Sequence, residues 1–258
     1  MHINLDLITR SAKNHSEFII DTILKTYING NYKWQYDFEI HINVNILLNK
    51  YNYEPSVFFK DIYARRKDSK YWTLLAFLYI CGIGTHVNEK KALYWYKRAA
   101  NIGDPLGQQE TALFYERGKG TKENLSSAIY WYTKAASAEM AIAQFRLAII
   151  CMSNVNFEYA LYWIRKSANL GFDEAMKFMA VSYEEGSGTL PQDLYKAFWW
   201  YRKWEATGSS EATQSVALYH HNGYGTLADT HDAIKSFLRN MRRGLPIRRW
   251  QLDTIFRK

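Results

Sequence analysis

Five alanines recur at a nearly constant spacing, and this period restricts the fold more than any other feature of the chain. They are Ala92, Ala128, Ala160, Ala197 and Ala233, separated by 36, 32, 37 and 36 residues. A self-similar segment of this length is one supersecondary unit used repeatedly; it cannot bury its apolar face alone and must stack on its neighbours. Three residues after the alanine stand Trp95, Trp131, Trp163 and Trp200, with Ser236 as the exception. Six residues after it comes a base in every unit: Arg98, Lys134, Lys166, Lys203 and Arg239. Four residues before it sits Asn88, Asn124, Asn156, Asp193 or Asp229. Each of these side chains can accept from the unpaired N–H groups of a first helical turn. Eleven residues after it stand Gly103, Glu139, Gly171, Gly208 and Gly244, at the place where a helix-ending residue takes positive φ. Each unit therefore holds a helix of about three turns, capped at both ends.

A second helical pattern precedes each cap. Ala76, Ala112, Ala148, Ala180 and Ala217 mark it, and small residues at a fixed helix position allow a neighbouring helix to come close. Four units join the two patterns with Gly-x-Gly-Thr, beginning at Gly82, Gly118, Gly186 and Gly223. The third unit has Cys151-Met-Ser-Asn-Val-Asn156 instead, four residues shorter. Helix, glycine-rich turn, helix predicts an all-α right-handed superhelix, a solenoid of about five repeats over residues 70–105, 106–139, 140–173, 174–209 and 210–244.

These residues resemble a known family. The pattern Ala-x-x-x-Leu-Gly-x-x-Tyr-x-x-Gly-x-Gly followed by Asp-x-x-Lys-Ala-x-x-Trp-Tyr-x-Lys-Ala-Ala-x-x-Gly is that of the Sel-1-like repeat, a relative of the tetratricopeptide repeat. Tyr115-Glu-Arg-Gly-Lys-Gly-Thr and Ala92-Leu-Tyr-Trp-Tyr-Lys-Arg-Ala-Ala-Asn-Ile-Gly103 match it closely, and the resemblance covers residues 70–244. The third unit departs in its missing turn, threonine stands where the family usually has valine, and the fifth unit is degenerate. The resemblance implies a non-enzymatic adaptor that holds protein partners. It extends to fungal members found alone or after a protein-kinase domain, and nothing upstream of the array has room for a kinase.

The array is expected to carry caps. Residues 1–15 are polar and read as a mobile N-terminus. Residues 16–69 read as a helical cap with a degenerate half-repeat. Ile20, Ile23, Leu24 and Tyr27 lie on one helical face of Glu17–Tyr27, and Glu54–Arg65 forms a helix with Pro55 in its first turn. Tyr36–Ile46 alternates like a strand, yet Ile40, Val44, Leu47 and Leu48 also share a helical face. A lone strand has nothing to pair with, so helix is preferred. Residues 245–258 read as a short basic closing helix.

Composition narrows the function classes. The chain of 258 residues is 48% apolar and 22% charged, ordinary for a globular protein. No apolar run reaches the roughly 18 residues of a transmembrane segment. The N-terminus has no secretory pattern. Two cysteines, Cys81 and Cys151, make neither a disulfide framework nor a zinc site, which suits the cytoplasm or the nucleus. Of the net charge of +8, residues 235–258 supply +7: eight bases opposed by Asp253 alone. That block offers an alternative function, the binding of a phosphate-rich ligand such as RNA or an anionic membrane.

No motif supports catalysis or a cofactor. Gly118-Lys-Gly-Thr lacks the spacing and the strand of a phosphate loop. The seven histidines show no zinc spacing; His220 falls where Tyr79, Tyr115 and Tyr183 stand and reads as packing, while His221 reads as exposed. Glu184 and Glu185 are adjacent on a helix, do not face each other, and read as solvated surface. The Trp-Tyr pairs read as core. By resemblance to tetratricopeptide arrays, partners are expected on the concave side, lined by the first helix of each pair. The residues assigned to it are Gln109, Leu113, Glu116 and Arg117 in the second unit. In the fourth they are Lys177, Val181, Glu184 and Glu185, and in the fifth Gln214, Leu218, His221 and Asn222. This side is expected to stay wet. In the third unit Phe145, Ile149 and Met152 are expected to form an apolar anchor.

Overall fold

The structure, a computed structural model, describes residues 17–22, 37–153, 157–227 and 229–242. The expectations for residues 1–15, for the cap at Asn156, for Gly244 and for the closing helix at 245–258 lie outside these. Two compact units are present, Met1–Ile142 and Ala143–Lys258. About three quarters of the chain is helical, with no strand among the described residues.

In the first unit residues 17–22 are helical and are followed by α1 (Asp37–Lys50) and α2 (Pro55–Ala64). The helix wins over the strand in the ambiguous segment: Val44 and Leu48 are buried four residues apart, while Ile46 between them is 55% exposed. Glu54 caps α2 by accepting from the Val57 N–H at 3.0 Å, and Phe58 and Ile62 bury its inner face. A single 3-10 turn at Ser69–Tyr71 leads to α3 (Trp72–Cys81), α4 (Glu89–Asn101), α5 (Pro105–Arg117) and α6 (Leu125–Ser137). The second unit contains α7 (Ala141–Ser153), whose first residues belong to the preceding unit, then α8 (Phe157–Asn169), α9 (Asp173–Glu185), α10 (Leu194–Glu205), α11 (Ser210–Asn222) and α12 (Thr230–Arg242).

The helices begin where the sequence supplies caps. Asn88, Asn124 and Asp193 accept from the N–H groups of Lys91, Ser127 and Lys196 at 2.9 to 3.0 Å, and Asp229 accepts from Asp232 at 3.1 Å. Asp104 and Ser209 do the same for α5 and α11. Each such cap contributes about 1 kcal/mol. The first glycine of every Gly-x-Gly-Thr turn takes left-handed φ and ends its helix. The second has a different task. At Gly120 a Cβ would stand 2.7 Å from the Glu89 backbone, and the Gly120 N–H donates to Glu89 Oε2 at 3.0 Å. The turn of the second repeat thus rests on the start of α4 in the first.

Both alanine series are wholly buried, from Ala76 to Ala233, and Trp95, Trp131, Trp163 and Trp200 are buried except for a small edge. The recurring bases cover these indoles. The Arg98 guanidinium lies 5.2 Å from the Trp95 ring, and the Lys134, Lys166 and Lys203 ammonium groups lie 5.3, 5.6 and 5.1 Å from Trp131, Trp163 and Trp200. Each pairing adds about 0.5–1 kcal/mol at such partly exposed sites.

Candidate interaction surface

The first helices of the second unit divide cleanly into a packed and an open side. In α9, Ala175, Met176, Met179, Ala180, Ser182 and Tyr183 are buried. Lys177 and Glu185 are exposed, and Val181 and Glu184 are half-buried. In α11, Ala212, Thr213, Val216, Ala217 and Tyr219 are buried; Gln214, Leu218 and His221 are half-buried and Asn222 is exposed. In α7, Ile149 is exposed, while Phe145 and Met152 are half-buried. The Phe145 ring packs on Phe172 at 5.3 Å, which ties the apolar group to the residue just before α9.

The expectation of a wet side is overturned for α5. Gln109 and Leu113 are 1% and 3% exposed, so neither side chain is presented to solvent. The helix is buried from Leu106 to Gln109 and again from Thr111 to Phe114, which leaves Glu116 half-buried and Arg117 exposed in its last turn. Helix spacing alone cannot distinguish a helix packed on one side from one enclosed on several.

Glu116 and Glu184 also differ from the solvated charges expected of them. The Tyr132 O–H donates to Glu116 Oε2 at 2.5 Å, and the Tyr201 O–H donates to Glu184 Oε2 at 2.6 Å. Each carboxylate stands four residues after the small alanine of its first helix, and each tyrosine four residues after the alanine of its second helix. The bond therefore closes the helix pair from inside. In the third repeat the same two positions hold Met152 and Ile164, so carboxylate and hydroxyl are lost together. The first repeat keeps the tyrosine, Tyr96, opposite Ile80, so the sequence alone does not signal this contact. Burial raises the Tyr201 phenol pKa well above the ordinary tyrosine range, and the Glu184 charge adds to it. Tyr219 is raised likewise, by burial first and then by Glu184.

A row of exposed aromatics was also missed. Tyr94, Tyr130, Tyr162 and Trp199 each precede a buried tryptophan and stand edge-on to it, with ring centroids 4.7 to 5.1 Å apart. Each has a base over its face, so the rings are not free platforms. His220 packs edge-on against Phe198 at 5.1 Å, and His221 is half-buried rather than exposed. Cys81 and Cys151 are half-buried thiols that form no disulfide with each other, and burial pushes the Cys151 thiol pKa up.

The Sel1 repeat family model matches residues 73–104, 105–139, 141–172, 173–206 and 210–235, well over half of the chain. The chain belongs to the Sel1 repeat family. Among solved structures, a Sel1 repeat protein from Oxalobacter formigenes is 27% identical, with a TM-score of 0.61, over 70% of this chain and 76% of that one. A protective antigen present in uropathogenic Escherichia coli strains, displaying an SLR fold, is 22% identical with a TM-score of 0.48, over 74% of this chain and 49% of that one. No curated protein matches. Sel1 repeats generally mediate contacts between proteins and are generally not catalytic. No helix among the described residues is long and apolar enough to cross a membrane.

Proposed function

We propose that this Sel1 repeat chain is a non-enzymatic adaptor that binds a protein or peptide partner on the open sides of its first helices, the sides that line the concave surface of repeat solenoids. One observation carries the reading. In α9 and α11 one side stays at least partly accessible, with Lys177 and Glu185 and with Gln214 and Asn222 toward its ends and the half-buried Val181 and Leu218 between them, while the opposite side is buried, and α7 adds an exposed isoleucine at Ile149. An apolar anchor with polar neighbours has the composition of a small interface centre and rim. The exposed charges of α9 are of both signs, Lys177 and Glu185, as suits the polar rim of an interface.

The test uses a partner captured by the purified chain and then made separately. Ile149→Asp is expected to weaken its binding about tenfold or more, because it places a charge in the anchor. Glu185→Lys and Lys177→Glu are expected to change it in opposite directions and by less, as rim charges do. Glu184 is unsuited to this test, since its replacement also removes the acceptor of Tyr201. Unchanged affinity in all three variants, with native circular dichroism, places the interface elsewhere.

A further inference from the structure

A second basic block lies at the start of the array. Residues 65–101 hold eight bases against Asp68 and Glu89, a net charge of +6, whereas the chain outside this stretch and the C-terminal block sums to −5. The block has two parts, both in the first unit. Arg65, Arg66 and Lys67 form the turn that follows α2. Lys90, Lys91, Lys97 and Arg98 lie along one side of α4 around the exposed ring of Tyr94, while Ala92, Leu93, Trp95 and Tyr96 form its buried side. The two parts adjoin: the Arg98 guanidinium lies 4.3 Å from the Trp72 ring, and the Trp72 indole N–H donates to the Arg66 carbonyl at 2.8 Å. Lys90 and Arg98 stand about 12 Å apart along the helix.

These cations are held in place without being neutralised. None of the seven forms an ion pair among the described residues. Aromatic rings hold four of them instead. Arg98 lies over Trp72 and Trp95, Arg66 over Tyr63 at 4.4 Å, Lys91 over Tyr79 at 5.3 Å and Lys97 over Tyr115 at 5.8 Å. A ring face attracts a cation through its quadrupole and leaves the charge uncancelled. In the second unit, by contrast, Lys177, Lys196, Arg202 and Lys235 each pair with a carboxylate. Seven like charges in one patch repel one another, a cost that an anionic partner removes.

We propose that this patch, the outer side of α4 with the turn at residues 65–67, docks an acidic segment of a protein partner. Cations already fixed on rings lose little freedom when carboxylates meet them. An extended stretch of about four residues spans the distance from Lys90 to Arg98. The Tyr94 ring stands edge-on to Trp95 with Arg98 over its face, so it offers no platform to a nucleic-acid base. Apart from that ring, the exposed side of α4 carries no apolar side chain to enter a lipid surface. The inference rests on the protein-binding role proposed above and adds a contact of defined chemistry on a second helix, away from the open sides of the first helices.

The test is fluorescence anisotropy of the full chain with a labelled short peptide of alternating glutamate and serine. Saturable binding is expected, and the combined variant Lys67→Glu, Lys90→Glu and Lys97→Glu is expected to weaken it about tenfold or more while circular dichroism stays native. Arg248→Glu, Arg249→Glu and Arg257→Glu make the same change of net charge in the C-terminal block and are expected to weaken it less than about twofold. If the first variant does not fold, Lys67→Gln with Lys90→Gln, both exposed and touching no ring, decides the matter, with about threefold weaker binding expected. No saturable binding, unchanged binding in the patch variants, or equal losses in patch and tail variants overturns the proposal. Tighter binding of oligouridylate or of phosphatidylserine vesicles than of the peptide, lost in the same patch variant, assigns the patch to nucleic acid or lipid and overturns the protein reading. The adaptor surface is read separately, since Ile149→Asp is expected to leave peptide binding unchanged: a captured partner insensitive to Ile149→Asp counts against that surface alone, and a peptide insensitive to the patch variants against this patch alone.

Discussion

A phenol keeps its proton most firmly where burial and a neighbouring negative charge act together, and Tyr201 has both. It is buried between α10 and its neighbours and donates to Glu184. Its pKa in the folded chain is raised, as is that of Tyr219. An unfolded tyrosine ionises near pH 10. Below that, both states hold the proton and the stabilisation is fully present; above it, the unfolded chain releases protons that the folded chain retains, so stability falls as pH rises. The expected outcome is a denaturation midpoint that is level up to about pH 9 and drops as the pH rises through about 10 and beyond, with a smaller drop in Tyr201→Phe. Equal drops in the two proteins would show that Tyr201 titrates the same way folded and unfolded. The sequence reading had Glu184 as a wet charge because its partner lies 17 residues away on another helix. Helical spacing predicts neighbours within an element and says nothing of such contacts.

The helix pairs themselves were legible, because their signals are local. Caps at Asn88, Asn124 and Asp193 act on N–H groups three residues on, and the sequence shows both ends of that bond. The glycine turn was legible only in part. Its first glycine follows from chain reversal at a helix end, but the role of its second depends on a different repeat. Gly103 and Gly120 separate these two demands. Both have positive φ, +91° and +65°; a Cβ meets nothing within 4 Å at Gly103 but comes within 2.7 Å of the Glu89 backbone at Gly120. Gly103→Ala is expected to cost about 1–2 kcal/mol, the backbone strain alone. Gly120→Ala is expected to cost about 1–3 kcal/mol more, because the α4 backbone must move away. Chemical denaturation of the two variants side by side measures the difference, and equal costs would mean that the approach of Gly120 to α4 is not tight.

At the scale of the whole molecule, the period led to the repeat architecture, since five units in register admit few other folds. It did not show which open sides stay open: α5 is enclosed at Gln109 and Leu113, whereas the matching positions of α9 and α11 are not. The reason is that register fixes which residues face a helix's partner in its own pair, while enclosure of the remaining side depends on other elements of the unit. The same locality governs how damage spreads. In stacked repeats each unit contacts its neighbours, so stability is close to a sum of unit and neighbour terms. Ala180 is wholly buried in α9, which packs on α8 and α10. Ala180→Leu adds three carbons at a helix contact and is expected to cost about 1–3 kcal/mol by overpacking. That cost should be confined. Amide hydrogen exchange should quicken in α8 to α11 and stay unchanged in α4 to α6, because the latter helices lose no contact and open with their own free energies. Faster exchange of equal size in both groups would mean that the repeats unfold as one cooperative body, and the nearest-neighbour description would fail for this chain.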